Sequence, residues 1–311
     1  MNKDDMVAML VANGADIELR GSDGNTSLEL AVINGFEQCI NILAKDNVEL
    51  NRLNPTGSTI LHLAVESRQV ESVKALLKNG ARYGFDKDGF TPLHRSMILD
   101  FREIFDVFIQ NGGSIESPTR SGLTLLLQAS LLGKSGIIDY LITKGANLEA
   151  TSPDLSTAVF SLSSLGHAKG VSFLLEKGAN LEATGELERT ALLWAAANGS
   201  FKMVSFLVNK GANRKAVDFR GYTALHLATE YDHVDVARLL IDKGINVDVR
   251  NLNEWTPLHV AASKGLAGMC RFLLEKGADR GTENDRFLTP LMIAFHNRHL
   301  TMGPILFQRR E

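Results

Sequence analysis

Threonine returns along this chain at a fixed step. It stands at Thr26, Thr59, Thr91, Thr124, Thr157, Thr190, Thr223, Thr256 and Thr289, every 33 residues except for one step of 32. A period of that length means one supersecondary unit copied along the chain, which limits the fold more than any other feature. Each threonine opens a similar phrase. Thr256-Pro257-Leu258-His259-Val260-Ala261-Ala262 is the clearest copy, and Thr223-Ala224-Leu225-His226-Leu227-Ala228 and Thr91-Pro92-Leu93-His94 are close to it. Twenty-one residues after most of these threonines comes a Gly-Ala pair, as at Gly80-Ala81, Gly145-Ala146, Gly178-Ala179, Gly211-Ala212 and Gly277-Ala278.

The chemistry of the phrase predicts a helix pair. A threonine hydroxyl caps a helix N-terminus, and proline is tolerated at the first helical position, where Pro92, Pro257 and Pro290 fall. The second position after each threonine is apolar, from Leu28 to Leu291. The fifth is small in eight of nine copies, which lets neighbouring helices approach closely. Leu162 is the exception and is expected to push helices apart or force repacking. Glycine near the ninth position (Gly35, Gly133, Gly166, Gly199, Gly265) ends the first helix in a left-handed conformation. A second helix follows and ends at the glycine of Gly-Ala, with Asn47 replacing that glycine in one copy. The 32-residue step falls in the loop between Gly80 and Thr91, where a deletion leaves the apolar faces in register.

The Thr-Pro-Leu-His-x-Ala phrase at this period resembles the ankyrin repeat family, and the resemblance covers nearly the whole chain in nine anchored copies. It implies an all-α fold, an α-solenoid of stacked helix-turn-helix pairs joined by hairpin-like loops. Length alone would predict about two ordinary domains. The repeat replaces that with a single array over 1–311: a partial first repeat at 1–21, eight full repeats at 22–288 and a capping repeat at 289–311. One helix pair cannot bury its own apolar face, so the array is expected to be cooperative. The chain enters at a second helix, which reads equally as a fragment of a longer protein or as a start within an array. At the other end, Pro304 is expected to delay or kink the last helix, and Gln308-Arg309-Arg310-Glu311 suits either a solvent-facing cap or a frayed end.

Composition and motifs argue against chemistry within the array. A net charge of −3 disfavours a nucleic-acid partner. Two cysteines, Cys39 and Cys270, cannot build a disulfide scaffold, and seven repeats between them exclude an intramolecular bond. Both fall at apolar positions and are read as buried thiols. No apolar run reaches membrane-spanning length, no signal sequence opens the chain, and a soluble cytoplasmic or nuclear protein is expected. Gly133-Lys134-Ser135 lacks the earlier glycine of a phosphate loop, since Gln128 stands there. His62, His94, His226 and His259 share one repeat position, too far apart to bind one metal ion. In the family that they resemble, this histidine bonds within and between loops. His167, His233 and His299 share a second position and are read as turn or cap residues. No catalytic residue, cofactor or metal is expected, and the protein is expected to be a monomeric, non-enzymatic scaffold.

The resemblance also implies where a partner docks, on a concave face made of loop tips and first helices. At those repeat positions stand Phe90, Ile98, Leu99, Leu123, Leu131, Leu132 and Leu165 in the fourth to sixth copies. Trp194, Phe219, Tyr222, Tyr231 and Trp255 follow in the seventh to ninth, with Arg189 and Arg220 among them. Aromatic and arginine side chains are enriched at binding hot spots. A protein or peptide partner across the fourth to ninth repeats is one expectation; packing of these side chains on neighbouring loops is the other. The family resemblance further implies hydroxylation of hairpin asparagines, for which Asn51 is the one candidate, other copies carrying Glu149, Glu182, Lys215 or Asp248. A targeting or regulatory segment of a larger enzyme or receptor remains a second functional expectation.

Overall fold

The computed structural model describes residues 3–45 and 49–307. Asn47 and the run Gln308-Arg309-Arg310-Glu311 lie outside the described residues. The described residues form helices and no strand. They fall into two compact units, Met1–Asn147 and Leu148–Glu311, each a stack of helix pairs in the manner of an α-solenoid.

In Met1–Asn147 a lone helix, Lys3–Ala12, precedes four pairs. These are Ser27–Ile33 with Glu37–Leu43, Ile60–Glu66 with Val70–Lys78, Pro92–Ile98 with Arg102–Gln110, and Leu125–Leu131 with Ser135–Thr143. In Leu148–Glu311 four pairs run from Ala158–Ser164 with Ala168–Glu176 to Pro257–Ser263 with Ala267–Glu275. The final first helix is Pro290–His296. Its partner begins as a single 3-10 turn, Leu300–Met302, and restarts as Gly303–Phe307 with Pro304 in its first turn. That is the delay expected of a proline without a backbone N–H.

The threonines sit in extended conformation at the N-cap of every first helix, and Thr26 completes a capping box with Glu29. The small residues five positions on are buried, with Ala64, Ala129, Ala228, Ala261 and Ala294 at zero exposure. First helix packs on first helix and second on second within each unit. The turn between paired helices needs a positive φ nine residues after the threonine. Gly133, Gly166 and Gly199 supply it, while Arg68, Asp100, Asp232 and Arg298 adopt the same conformation with a side chain.

Leu162 forces a repacking that the structure localises. It is buried, and it faces Gly170 on the second helix of its own pair. A Cβ at Gly170 would come within 3.0 Å of Leu162 Cδ1. Other copies place Ile104, Ile137, Met203, Val236 or Met269 thirteen residues after the threonine, where this copy has Gly170. The bulk has moved from one helix to its partner, which keeps the core volume nearly constant.

The histidines of the phrase tie the layers together. Thr223 Oγ1 donates to His226 Nδ1 at 2.9 Å, and His226 Nε2 donates to the Trp255 carbonyl at 2.9 Å. His259 repeats this with Thr256 and Leu288, and His62 with Thr59 and Phe90. His94 Nδ1 takes the Thr91 hydroxyl, but its Nε2 faces the Leu123 backbone without a hydrogen bond of ordinary geometry. The Thr223 and Thr256 amides also donate to Nδ1 of His226 and His259, at 3.3 and 3.1 Å, so Nδ1 is an acceptor there and these two rings are the neutral Nε2–H tautomer. Burial pulls the pKa of His94 and of His226 down from the ordinary 6.5 to about 4. Below pH 6.5 the unfolded chain takes up protons that these rings refuse. Stability is therefore full above pH 7 and falls as pH drops towards 4, by about 2 kcal/mol per ring at pH 5. Urea unfolding at pH 7.5 and pH 5 should show it, and replacing His226 by glutamine should lessen the dependence for the Leu148–Glu311 unit, leaving the part due to His259, whose pKa burial also lowers.

Candidate functional site

Seven of the nine hairpin tips are closed by a polar side chain five residues before the threonine, the other two carrying Gly21 and Gly185 there. Asp218 Oδ1 accepts from the Arg220 and Tyr222 amides at 3.0 and 2.9 Å. Asp86, Asn54, Asn251 and Asn284 close their own tips in the same way, with Thr119 and Ser152 hydroxyls doing so in two more. These residues were missed by the sequence reading. Their signal was present, as seven of nine copies carry Asp, Asn, Ser or Thr at that position. Consecutive tips also bond through the backbone: Lys87 N to Gly57 O and Arg120 N to Gly89 O in one unit, Phe219 N to Leu187 O and Asp285 N to Asn253 O in the other. The tips are thereby held as a fixed frame for the side chains they carry.

On Met1–Asn147 the frame carries an aliphatic patch. Leu99, Leu131 and Leu132 are each more than two-fifths exposed, while Ile98, Leu123 and Phe90 are half-buried. Phe90 rests on the His94 ring, with the Arg95 guanidinium 4.9 Å from its own ring. Arg95 Nε in turn donates to buried Asp86 at 2.6 Å. Burial alone would raise the Asp86 carboxyl, but the Phe90 amide and then Arg95 hold it below its usual range, and the pairing keeps Arg95 charged.

On Leu148–Glu311 the patch is aromatic and charged. Leu165, Phe219 and Tyr231 are exposed. Trp194, Tyr222 and Trp255 are half-buried, so packing claims part of each ring. Tyr222 lies against His226 and Trp255 against His259, with ring centroids 5.2 and 6.1 Å apart. Trp194 meets Phe160 at 5.5 Å, under the Arg189 guanidinium. Arg220 stacks 4.0 Å from the Tyr222 ring and forks onto Glu230 with bonds of 3.2 and 2.8 Å. Of the twelve residues, six stand exposed and six are half-buried.

The remaining motifs take structural places. Gly133-Lys134-Ser135 forms the interhelix turn, and Lys134 Nζ bonds the Ile98 carbonyl. His167, His233 and His299 are second-helix N-caps, and His233 and His299 each reach back 36 residues to a carbonyl of the preceding first helix. Cys39 and Cys270 are free and buried; burial pushes their thiols up to about 11 and about 12. Asn51 is exposed, and its Oδ1 accepts from the Arg82 amide at 2.7 Å. Among the described residues no group of three or more His, Cys, Asp or Glu could hold a metal ion, and no helix is long and apolar enough to cross a membrane.

Comparison with known proteins places this geometry. A family model described as ankyrin repeats (3 copies) matches residues 1–86, 46–119 and 155–251, and one described as ankyrin repeats (many copies) matches residues 240–294. A fowlpox virus protein named for its ankyrin repeats is 36% identical over 100 residues, covering 31% of this chain and 29% of its own. An E3 ubiquitin-protein ligase of Arabidopsis thaliana is 29% identical over 110 residues, covering 34% of this chain and 7% of its own. The Neurogenic locus Notch protein of Drosophila melanogaster is 31% identical over 113 residues, covering 31% and 4%. The matched stretch is under a third of the length of each relative.

Proposed function

Since the chain belongs to the ankyrin repeat family, we propose that it is a non-enzymatic protein-interaction module whose partner docks on first helices and hairpin tips. The carrying observation is the exposure of Leu99, Leu131 and Leu132 on one unit and of Leu165, Phe219 and Tyr231 on the other. Large apolar side chains recurring at fixed repeat positions, on a rigid backbone frame, call for a partner surface. The aromatic patch of Leu148–Glu311 is the better anchor, because its rings lie beside Arg220 and Arg189.

Truncation of Phe219 and Tyr231 to alanine tests this reading. Both are about half exposed, so folding should be unchanged by circular dichroism. Affinity for a partner isolated with the intact chain should fall by about 2 kcal/mol or more, as for paired hot-spot residues. Unchanged affinity would remove this face from consideration.

A second reading is favoured by the size of the relatives. The matched stretch is 7% of the ubiquitin ligase and 4% of Notch, so similar arrays sit inside much longer chains. In that setting the same face would target or regulate a larger enzyme or receptor.

A further inference from the structure

Five junctions between neighbouring hairpins share one hydrogen bond. Asn51, Glu116, Glu149, Glu182 and Asp248 each accept the backbone N–H that lies 31 residues further on, at 2.7 to 3.0 Å. Lys215 occupies this position after Gly211. An ammonium group has no lone pair to offer. Among the described residues, the Asn246 amide, 31 residues on, has no such acceptor.

A cleft opens around that amide within the Leu148–Glu311 unit. Val217, Ile245 and Val249 give it an apolar wall, and Arg214, Lys215, Lys243 and Arg250 line it with positive charge. No carboxylate is among its lining residues. Arg250 is paired with Glu254 at 2.7 Å. Arg214 donates to the Lys243 carbonyl and Lys243 Nζ donates to the Asn209 amide oxygen at 3.1 Å. Both acceptors are neutral, so neither charge is cancelled. The whole chain carries −3, so this excess is local. Most of the lining is solvent-exposed, which leaves the cleft open along one side. An open cleft suits an extended segment of a partner chain better than a free metabolite, which binding sites usually enclose.

We propose that this cleft binds an acidic–apolar peptide segment of a partner protein. An Asp or Glu carboxylate of the segment accepts the Asn246 N–H beside Lys215, Arg214 and Lys243, and an adjacent apolar side chain covers Val217, Ile245 and Val249. The partner then supplies the acceptor that the chain itself supplies at five other junctions. This site is separate from the first-helix face and stands or falls without it.

The test is a titration of the full ¹⁵N-labelled chain with acetyl-Leu-Glu-amide, followed at the Asn246 amide resonance. A saturable shift is expected, with acetyl-Leu-Gln-amide binding about tenfold more weakly. Lys215→Glu should abolish the response, because an internal carboxylate then takes the amide, and should raise the melting temperature by about 2 °C. Three results would overturn the proposal: no shift at Asn246, an equal response to the glutamine peptide, or a response retained in Lys215→Glu. Saturation by hexyl phosphate without any response to the glutamate peptide would also overturn it, in favour of a phosphorylated ligand.

Discussion

Replacing Asp218 by alanine is expected to cost the Leu148–Glu311 unit about 3–4 kcal/mol, read from its urea midpoint. The carboxylate is fully buried and has two duties. Oδ1 closes the hairpin tip on two backbone amides, and Oδ2 lies 3.5 Å from the guanidinium groups of both Arg189 and Arg220. Arg220 has Glu230 as a second hydrogen-bonded partner, whereas the side chain of Arg189 is 5% exposed and would lose its one ion pair within bonding distance among the described residues. Asparagine keeps the turn acceptor and loses only the charge, as Asn251 and Asn284 show in the two following tips. Asp218→Asn should therefore lose about half as much. Because Phe219 and Tyr222 ride on this tip, Asp218→Ala should also weaken partner binding more than Asp218→Asn does. A loss below about 1 kcal/mol for alanine would contradict the assigned role.

The second large effect belongs to the Leu162–Gly170 pair. Leu162→Ala alone should destabilise by about 3 kcal/mol, because no side chain at Gly170 is there to collapse into the cavity. Gly170→Met alone should cost about 2–3 kcal/mol, since its Cβ already meets Leu162 at 3.0 Å. The double substitution restores the arrangement of the next repeat, where Ala195 faces the helix carrying Met203, and should recover most of the loss. A coupling of about 2 kcal/mol in the double-mutant cycle is expected. Strictly additive losses would mean that the two residues do not share one packing site.

These two cases also mark where the sequence was legible and where it was not. The helix pairs and their threonine caps followed from the period, because each is a local matter of one residue type at one position. The interhelix turn was legible only in part, since Arg68, Asp100, Asp232 and Arg298 take the place of glycine there. Leu162 stood out as an exception, but its remedy at Gly170 did not. That remedy is a volume exchange between two helices, and only packing reveals the partner. The tip acceptors were hidden for another reason. Asp218, Asn251, Thr119 and Ser152 perform one task with different side chains, so a search for one recurring letter passes over them.

The candidate face was legible by repeat position, but its exposure was not. Tyr222 and Phe219 lie three residues apart on one tip. Tyr222 is drawn onto the His226 ring, and Phe219 is left half exposed. That division depends on the histidine four residues after Tyr222 and recurs at Trp255 with His259 and at Phe90 with His94. At Lys215 the sequence showed a departure from the acidic residues of other copies. Only the hydrogen bonds made by those residues gave the departure a meaning.

The central claim is that first helices and hairpin tips, rather than second helices, meet a partner. Photo-crosslinking measures this most directly, with benzoylphenylalanine placed singly at Phe219, at Tyr231 and at Phe173 on a second helix. Phe219 and Tyr231 should crosslink to one partner and map to neighbouring peptides of it, with Phe173 giving none. Crosslinks confined to Phe173, or equal at all three positions, would contradict the account.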